Sequence, residues 1–268
     1  MKIIVLTKYS MDISEIRVDA ATHTLRLTGV PQRFGDVDKG ALEAAVRLKE
    51  TSAADAVIEV LCFGPALARG AVKDLLAMGA DEATVVEDPY DGAADARVAV
   101  LVLEAALRKL APFDLVLCGF ASDDGYSYQT GPRLAERMDL PLISYASEIS
   151  LDSGTLMADR DLERGLQTVS SPLPAIVSVA EEAFLPRGVT LLQAMRAQKK
   201  PTKTWTIEDL GLERGSLDDA FECVLVSEAG VVVNRRQLLL MGQGLAEMAD
   251  KLIDTLVDDQ VLVLEGGS

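Results

Sequence analysis

A chain of 268 residues with 42 acidic against 26 basic side chains, net charge −16, is a poor partner for nucleic acid or an anionic membrane surface. Apolar residues make up 49% but aromatics only 4%, so Ala, Leu and Val must fill the core, as they do where helices cover both faces of a parallel sheet. One histidine, His23, and three dispersed cysteines, Cys62, Cys118 and Cys223, leave almost no material for zinc centres, His-based triads or a disulfide framework.

Met1 runs straight into an apolar strand, Lys2–Lys8, rather than into a leader, so a soluble cytoplasmic protein is expected. No apolar run approaches ~18 residues, so direct membrane insertion is not expected. Glu15–Leu27 alternates apolar and polar residues like a β-hairpin. A βα rhythm follows. The helical stretches Lys39–Glu50, Pro65–Met78 and Ala93–Leu110 separate the strand candidates Ala56–Phe63, Ala83–Glu87 and Asp114–Gly119. Pro65 suits a helix start and Gly79 a helix end. A helix from about Gln129 to Met138 closes this half.

After Pro141, Ser144–Leu151 and Thr155–Thr168 read as antiparallel strands and Pro174–Ala180 as one more core strand. A loop over residues 181–188 precedes a short helix, Thr190–Ala197. Gln198–Thr204 reads as a basic, polar linker. The tail beyond it holds an apolar strand (Cys223–Val226), a helix (Arg235–Val257) and a last strand (Val261–Leu264). These elements predict an α/β fold: a doubly wound, mostly parallel sheet of the Rossmann-like, adenine-nucleotide-binding kind, spanning residues 1–200. Residues 201–268 form a linker and a C-terminal arm that packs on the main domain or on a partner subunit, being too short for a good core alone.

The functional signal lies at the strand ends. Asp114–Gly119 is followed at once by a small polar loop, 120–131, that opens a helix. A helix N-terminus offers free N–H groups and the positive end of a dipole, which suits phosphate. Ser127 and Thr130 add hydroxyls, and Asp123 or Asp124 can accept from a ribose or an amine. The same residues also serve an ordinary capped turn. Asp38 likewise reads as a helix cap, or as one wall of a crevice shared with Gly35, Phe63 and Gly119. Neither GxGxxG, GxxxxGK[ST] nor GxSxG occurs. Arg160 is either a charge on a solvated strand face or a contact to a partner or a negatively charged cofactor.

With those residues in view, the chain resembles the β subunit of electron transfer flavoprotein over about residues 1–211. The resemblance rests on Lys39–Glu50, Gly64-Pro65, Ala77-Met78-Gly79-Ala80-Asp81, Asp123-Asp124 with Gln129-Thr130-Gly131-Pro132, Arg160 with Leu166, Thr168, Leu173 and Pro174, and Leu185-Pro186-Arg187 with Met195-Arg196-Ala197 and Lys199-Lys200-Pro201. It implies a heterodimer with an α subunit, an FAD shared with that subunit, and an AMP of structural role. Bifurcating members carry a second FAD instead and use NADH.

By motif position the resemblance places the nucleotide contacts on Leu6, on Gly35, Asp36, Val37 and Asp38, on Phe63, and on the loop Gly119, Ser122, Asp123, Asp124, Gly125, Ser127, Tyr128, Gln129 and Thr130. Arg160 approaches the FAD side. Phe184, Leu185, Leu191 and Met195 face partner dehydrogenases of the acyl-CoA type, or else connect the domain to the tail. The protein is then an electron carrier that performs no bond chemistry itself. A stand-alone nucleotide-binding regulatory protein is the rival from another class. The chain departs from the family where Gly35-Asp36 replaces Asn-Pro and Tyr128 replaces Asn. Tyr128 or Phe63 either stacks on a base or isoalloxazine or fills the pocket.

Overall fold

Ile3, Ile4 and Val5 are fully buried in β1 (Lys2–Met11), as a strand covered by helices on both faces must be. This computed structural model describes residues 1–19, 22–152, 154–181, 183–221, 238–259 and 261–262. The hairpin expected over 15–27 is present as β2 (Arg17–Asp19) and β3 (Thr24–Arg26), and β4 (Gln32–Phe34) then returns antiparallel to β1.

The alternation continues through α1 (Asp36–Thr51), β5 (Val57–Gly64), α2 (Ala68–Met78), β6 (Glu82–Glu87), α3 (Ala96–Leu110), β7 (Leu115–Gly119) and α4 (Thr130–Met138). Gly79 ends α2 with φ 141°, and a Cβ there would lie 2.7 Å from Val46 Cγ2. Next come β8 (Leu142–Asp152), β9 (Thr155–Leu162), β10 (Gly165–Ser171), β11 (Ala175–Val179), α5 (Leu191–Ala197), β12 (Thr202–Trp205), α6 (Arg214–Asp218) and α7 (Leu245–Asp258).

The main sheet runs β10-β9-β8-β11-β7-β1-β5-β6-β12. From β8 to β12 along that order the neighbours are parallel, while β9 and β10 extend it antiparallel. Alternate residues feed two apolar layers. Ile3 and Val5 join Leu42 and Leu75 on the face of α1 and α2. Ile4 and Leu6 join Leu103 and Leu134 on the face of α3 and α4. Each such buried Leu or Ile contributes about 1.5–3 kcal/mol. The doubly wound reading therefore holds.

Two local expectations change. Residues 202–205, read as linker, are strand β12, paired with Ala83–Val86 of β6. The segment is polar because it is an edge strand, and Lys203 reaches Glu82 at 3.0 Å. The long tail helix begins at Leu245 rather than Arg235, residues 238–244 being irregular and 235–237 outside the described residues. The expected strand Cys223–Val226 also lies outside the described residues, and of Val261–Leu264 only 261–262 are described, without strand structure.

The chain divides into a unit of Met1–Arg17 and Leu25–Ser227 and a smaller one of Val18–Thr24 and Glu228–Ser268. Within the first, Leu210, Leu212, Ala220 and Phe221 pack against the layer that contains α3. Within the second, α7 buries none of its residues. Among the described residues no helix is long and apolar enough to cross a membrane.

Candidate functional site

From β1 the chain builds outward through β5 and β6, then returns to place β7 on the other side of β1. The carboxyl ends of β1 and β7 therefore diverge at a topological switch point, where open α/β sheets form their ligand crevice. A cavity of ≈ 460 Å³ lies there.

Its walls include Leu6 and Lys8 from β1, Phe63 from β5 and Asp38 from the first turn of α1. The loop after β7 supplies Gly119, Ser122, Asp124 and Gly125, and then Ser127, Tyr128, Gln129 and Thr130. Gly119 is required by close approach. A Cβ on it would stand 2.6 Å from Val37 Cγ1 and 3.1 Å from the Ala121 carbonyl. Gly35, Asp36, Val37 and Asp123 stand behind this wall rather than on it. A Cβ on Gly35 would meet the Asp123 carboxylate at 2.7 Å. Arg33 ties this layer together, reaching Asp36 at 3.1 Å and Asp123 at 3.6 Å.

Two of the helices that open at the cavity, α3 and α4, differ. Asp95 caps α3 by accepting from the Arg97 and Val98 N–H groups. Gln129 gives α4 no side-chain cap. The first helical bond of α4 runs from Arg133 N to Gln129 O, so the N–H groups of Thr130 and Gly131 precede it. Gln129 Oε1 is buried without a hydrogen-bond donor among the described residues. The open end of α4, whose first turn carries no acidic residue, is thus a place in the cavity suited to an anion.

The charged groups form one network. Lys8 N donates to Asp38 Oδ2 (2.7 Å), while Lys8 Nζ pairs with Asp124 (2.6 Å). Burial, opposed by the Lys8 N–H and reinforced by the Asp123 charge, pushes the Asp38 carboxyl up to about 7. Burial also raises Asp123. For Asp124 burial acts upward too, but the Lys8 ammonium and its hydrogen bonds hold it below the ordinary value. Cys118 lines the cavity, and burial pushes its thiol up to about 12, so it offers no thiolate nucleophile.

Sequence reasoning missed the opposite wall, Asp88 and Gly92–Ala96. Asp91-Gly92 after a strand, followed by the helix cap Asp95, carried the same strand–turn–helix signal as the 119–130 loop.

Arg160 lies off the cavity wall, on β9. Its Nε donates to the Ser144 carbonyl (2.6 Å), Nη2 to Ser144 Oγ (2.9 Å) and Nη1 to Gln167 Oε1 (3.2 Å). Of the four residues read as partner-facing, Phe184 is buried, with Arg47 over its ring. Leu185, Leu191 and Met195 are 67%, 79% and 62% exposed. The loop that carries Leu185 is clamped to α1 by Arg187, whose guanidinium meets Glu43 and Glu50, each at 2.7 Å.

Comparison with known proteins agrees with this architecture. The electron transfer flavoprotein domain family matches residues 22–210. The electron transfer flavoprotein subunit beta of Thermoanaerobacterium thermosaccharolyticum is 34% identical over 218 residues, 81% of this chain and 83% of that protein. The corresponding subunit of Clostridium acetobutylicum is 33% identical over 217 residues, again 81% and 83%. The caffeyl-CoA reductase-Etf complex subunit CarD of Acetobacterium woodii is 33% identical over 212 residues, 79% and 80%. Family match, relatives and fold converge: the chain belongs to the electron transfer flavoprotein family, on the side of its β subunits.

Proposed function

We propose that this β subunit pairs with an α subunit in the cytoplasm and that the pair carries electrons from acyl-CoA-type dehydrogenases to a downstream acceptor. The redox step belongs to an FAD shared with the α subunit. The cavity of this chain takes an adenine nucleotide, AMP in the simple carrier. The observation that carries the reading is the uncapped end of α4 opening into the switch-point cavity, beside the donorless Gln129 Oε1.

Each lining group then has a task. The N–H groups of Thr130 and Gly131 hold the phosphate, with the Ser127 hydroxyl beside them. Asp124, fixed by Lys8, and Asp38 accept from ribose hydroxyls. Four carboxylates, Asp38, Asp88, Asp95 and Asp124, face the cavity with Lys8, a balance that favours one phosphate over two or three. Leu185, Leu191 and Met195 offer exposed apolar side chains of the kind transient docking uses.

A second reading places a second FAD in the cavity, as in a bifurcating complex. The likeness to the reductase-complex subunit of Acetobacterium woodii is compatible with it. Co-expression with the α subunit, followed by an absorbance spectrum and analysis of the released nucleotides, separates the two. One FAD with one AMP per heterodimer is the expected result. Two FAD without AMP select the bifurcating reading. A colourless chain that retains no α subunit overturns both.

A further inference from the structure

The aromatic residues of this chain are few, 6 Phe, 5 Tyr and 1 Trp, yet Phe120, Tyr126, Tyr128 and Tyr145 meet in one cluster. Phe120 is its hub. Its ring centroid lies 5.5 Å from Tyr126, 5.3 Å from Tyr128 and 5.2 Å from Tyr145. Tyr126 and Tyr128 meet edge-on at 5.1 Å.

Three features set this cluster apart from core packing. Phe120 and Tyr128 both line the cavity. Phe120 is buried, but Tyr126 and Tyr128 remain 47% and 43% exposed. The three tyrosines also adopt left-handed backbone, with φ of 42°, 60° and 63°. Bulky side chains rarely take that conformation, and they keep it only where their surroundings impose it. Further bonds hold the arrangement. The Tyr126 hydroxyl donates to Glu181 (3.2 Å), and Tyr145 N donates to Ser178 Oγ (3.2 Å). The result is a half-open aromatic surface, braced from behind, at the rim of a cavity sized for a nucleotide.

We propose that Phe120, Tyr126, Tyr128 and Tyr145 form a stacking platform on which Tyr128 receives a planar heteroaromatic ring of the nucleotide bound in the cavity. The inference rests on the nucleotide reading of the cavity and adds the group that grips the ring. An exposed π-face recognises ring shape rather than a hydrogen-bond pattern, so it takes adenine or isoalloxazine alike. The open end of α4 holds the phosphate, Asp38 and Asp124 fix the sugar, and the platform fixes the flat end.

The test uses the heterodimer with its α subunit, freed of nucleotide and titrated in separate arms with AMP and with FAD beyond the first equivalent. Tyr128→Gly removes the ring without adding a polar side chain, and Gly takes left-handed backbone freely. Tyr128→Phe keeps the ring and loses only the hydroxyl. A thermal melt checks that both variants fold. Tyr128→Phe is expected to bind as the parent does, and Tyr128→Gly about 5- to 100-fold more weakly. A loss confined to AMP puts adenine on the platform. A loss confined to FAD, with loss of flavin fluorescence quenching, puts isoalloxazine there. Unchanged binding of both nucleotides by a folded Tyr128→Gly protein overturns the platform while leaving the nucleotide site intact. Equal losses in the two variants overturn it in favour of the hydroxyl. A parent heterodimer that binds neither nucleotide removes the cavity reading itself, and the platform with it.

Discussion

Asp38 shows how a single buried carboxyl links this site to pH. Among the described residues it accepts one hydrogen bond, from the Lys8 backbone N–H, and Asp123 and Asp124 add like charge nearby. In the unfolded chain it ionises near pH 4, whereas in the fold it holds its proton up to about 7. The folded state therefore binds more protons across that interval, and stability falls as pH rises through it. Asp38→Asn keeps an acceptor for Lys8 N and removes the titration. Its stability advantage over the parent is expected to grow between about pH 4 and pH 7 and then level off, reaching at most about 4 kcal/mol. Urea unfolding at several pH values reads this directly, and a constant difference across the range refutes it. Asp38 was legible from the sequence as a polar residue opening a helix. Its burial was not, because that depends on β1 and β7, more than a hundred residues apart in the chain, meeting beside it. The left-handed Tyr126, Tyr128 and Tyr145 carried no local signal either, since tyrosine seldom adopts that backbone.

Among elements, β1, β5, β6 and β7 could be read from the sequence because strands buried on both faces are continuous apolar runs. β4 and β12 could not: the first is only Gln32–Phe34, and the second hides its pairing behind Thr and Lys side chains suited to an exposed edge. The long helices followed from their periodicity, and the crevice from strand ends carrying small residues. The segment before α5 is held by charge rather than by apolar packing alone. Arg187 bridges Glu43, which is buried, and Glu50, which is exposed, and Arg47 also reaches Glu43 at 2.8 Å. Both carboxyls are held below their ordinary range by this pairing, Glu43 in spite of its burial. Their contribution is present above the unfolded pKa and is lost as pH falls through the depressed folded one. Arg187→Met is therefore expected to cost roughly 1–3 kcal/mol near neutral pH, and much less once acid has protonated both partners. Chemical denaturation at about pH 7 and about pH 3 tests the sign. A cost that is the same at both would mean the clamp works by packing.

At the scale of the whole molecule, the α5 region and the cavity are expected to be separable. Leu191 is 79% exposed and lies outside the cavity lining. Leu191→Glu should leave the melting temperature and the nucleotide content of the heterodimer unchanged while slowing its reduction by a partner dehydrogenase about tenfold or more. Stopped-flow reduction beside nucleotide analysis distinguishes this from a folding defect, in which both would fall together. The sheet order adds a constraint of another kind. Ile3 of β1 pairs with Leu115 of β7, and β7 is in turn flanked by Ala175 of β11. During synthesis, β1, β5 and β6 can assemble early, but the crevice does not exist until β7 has found β1 across more than a hundred residues of intervening chain, a slow, non-local closure. A nucleotide bound in that crevice would then act as a late clasp: it would have nothing to hold in the growing chain, and it would favour the finished sheet over every partly assembled form.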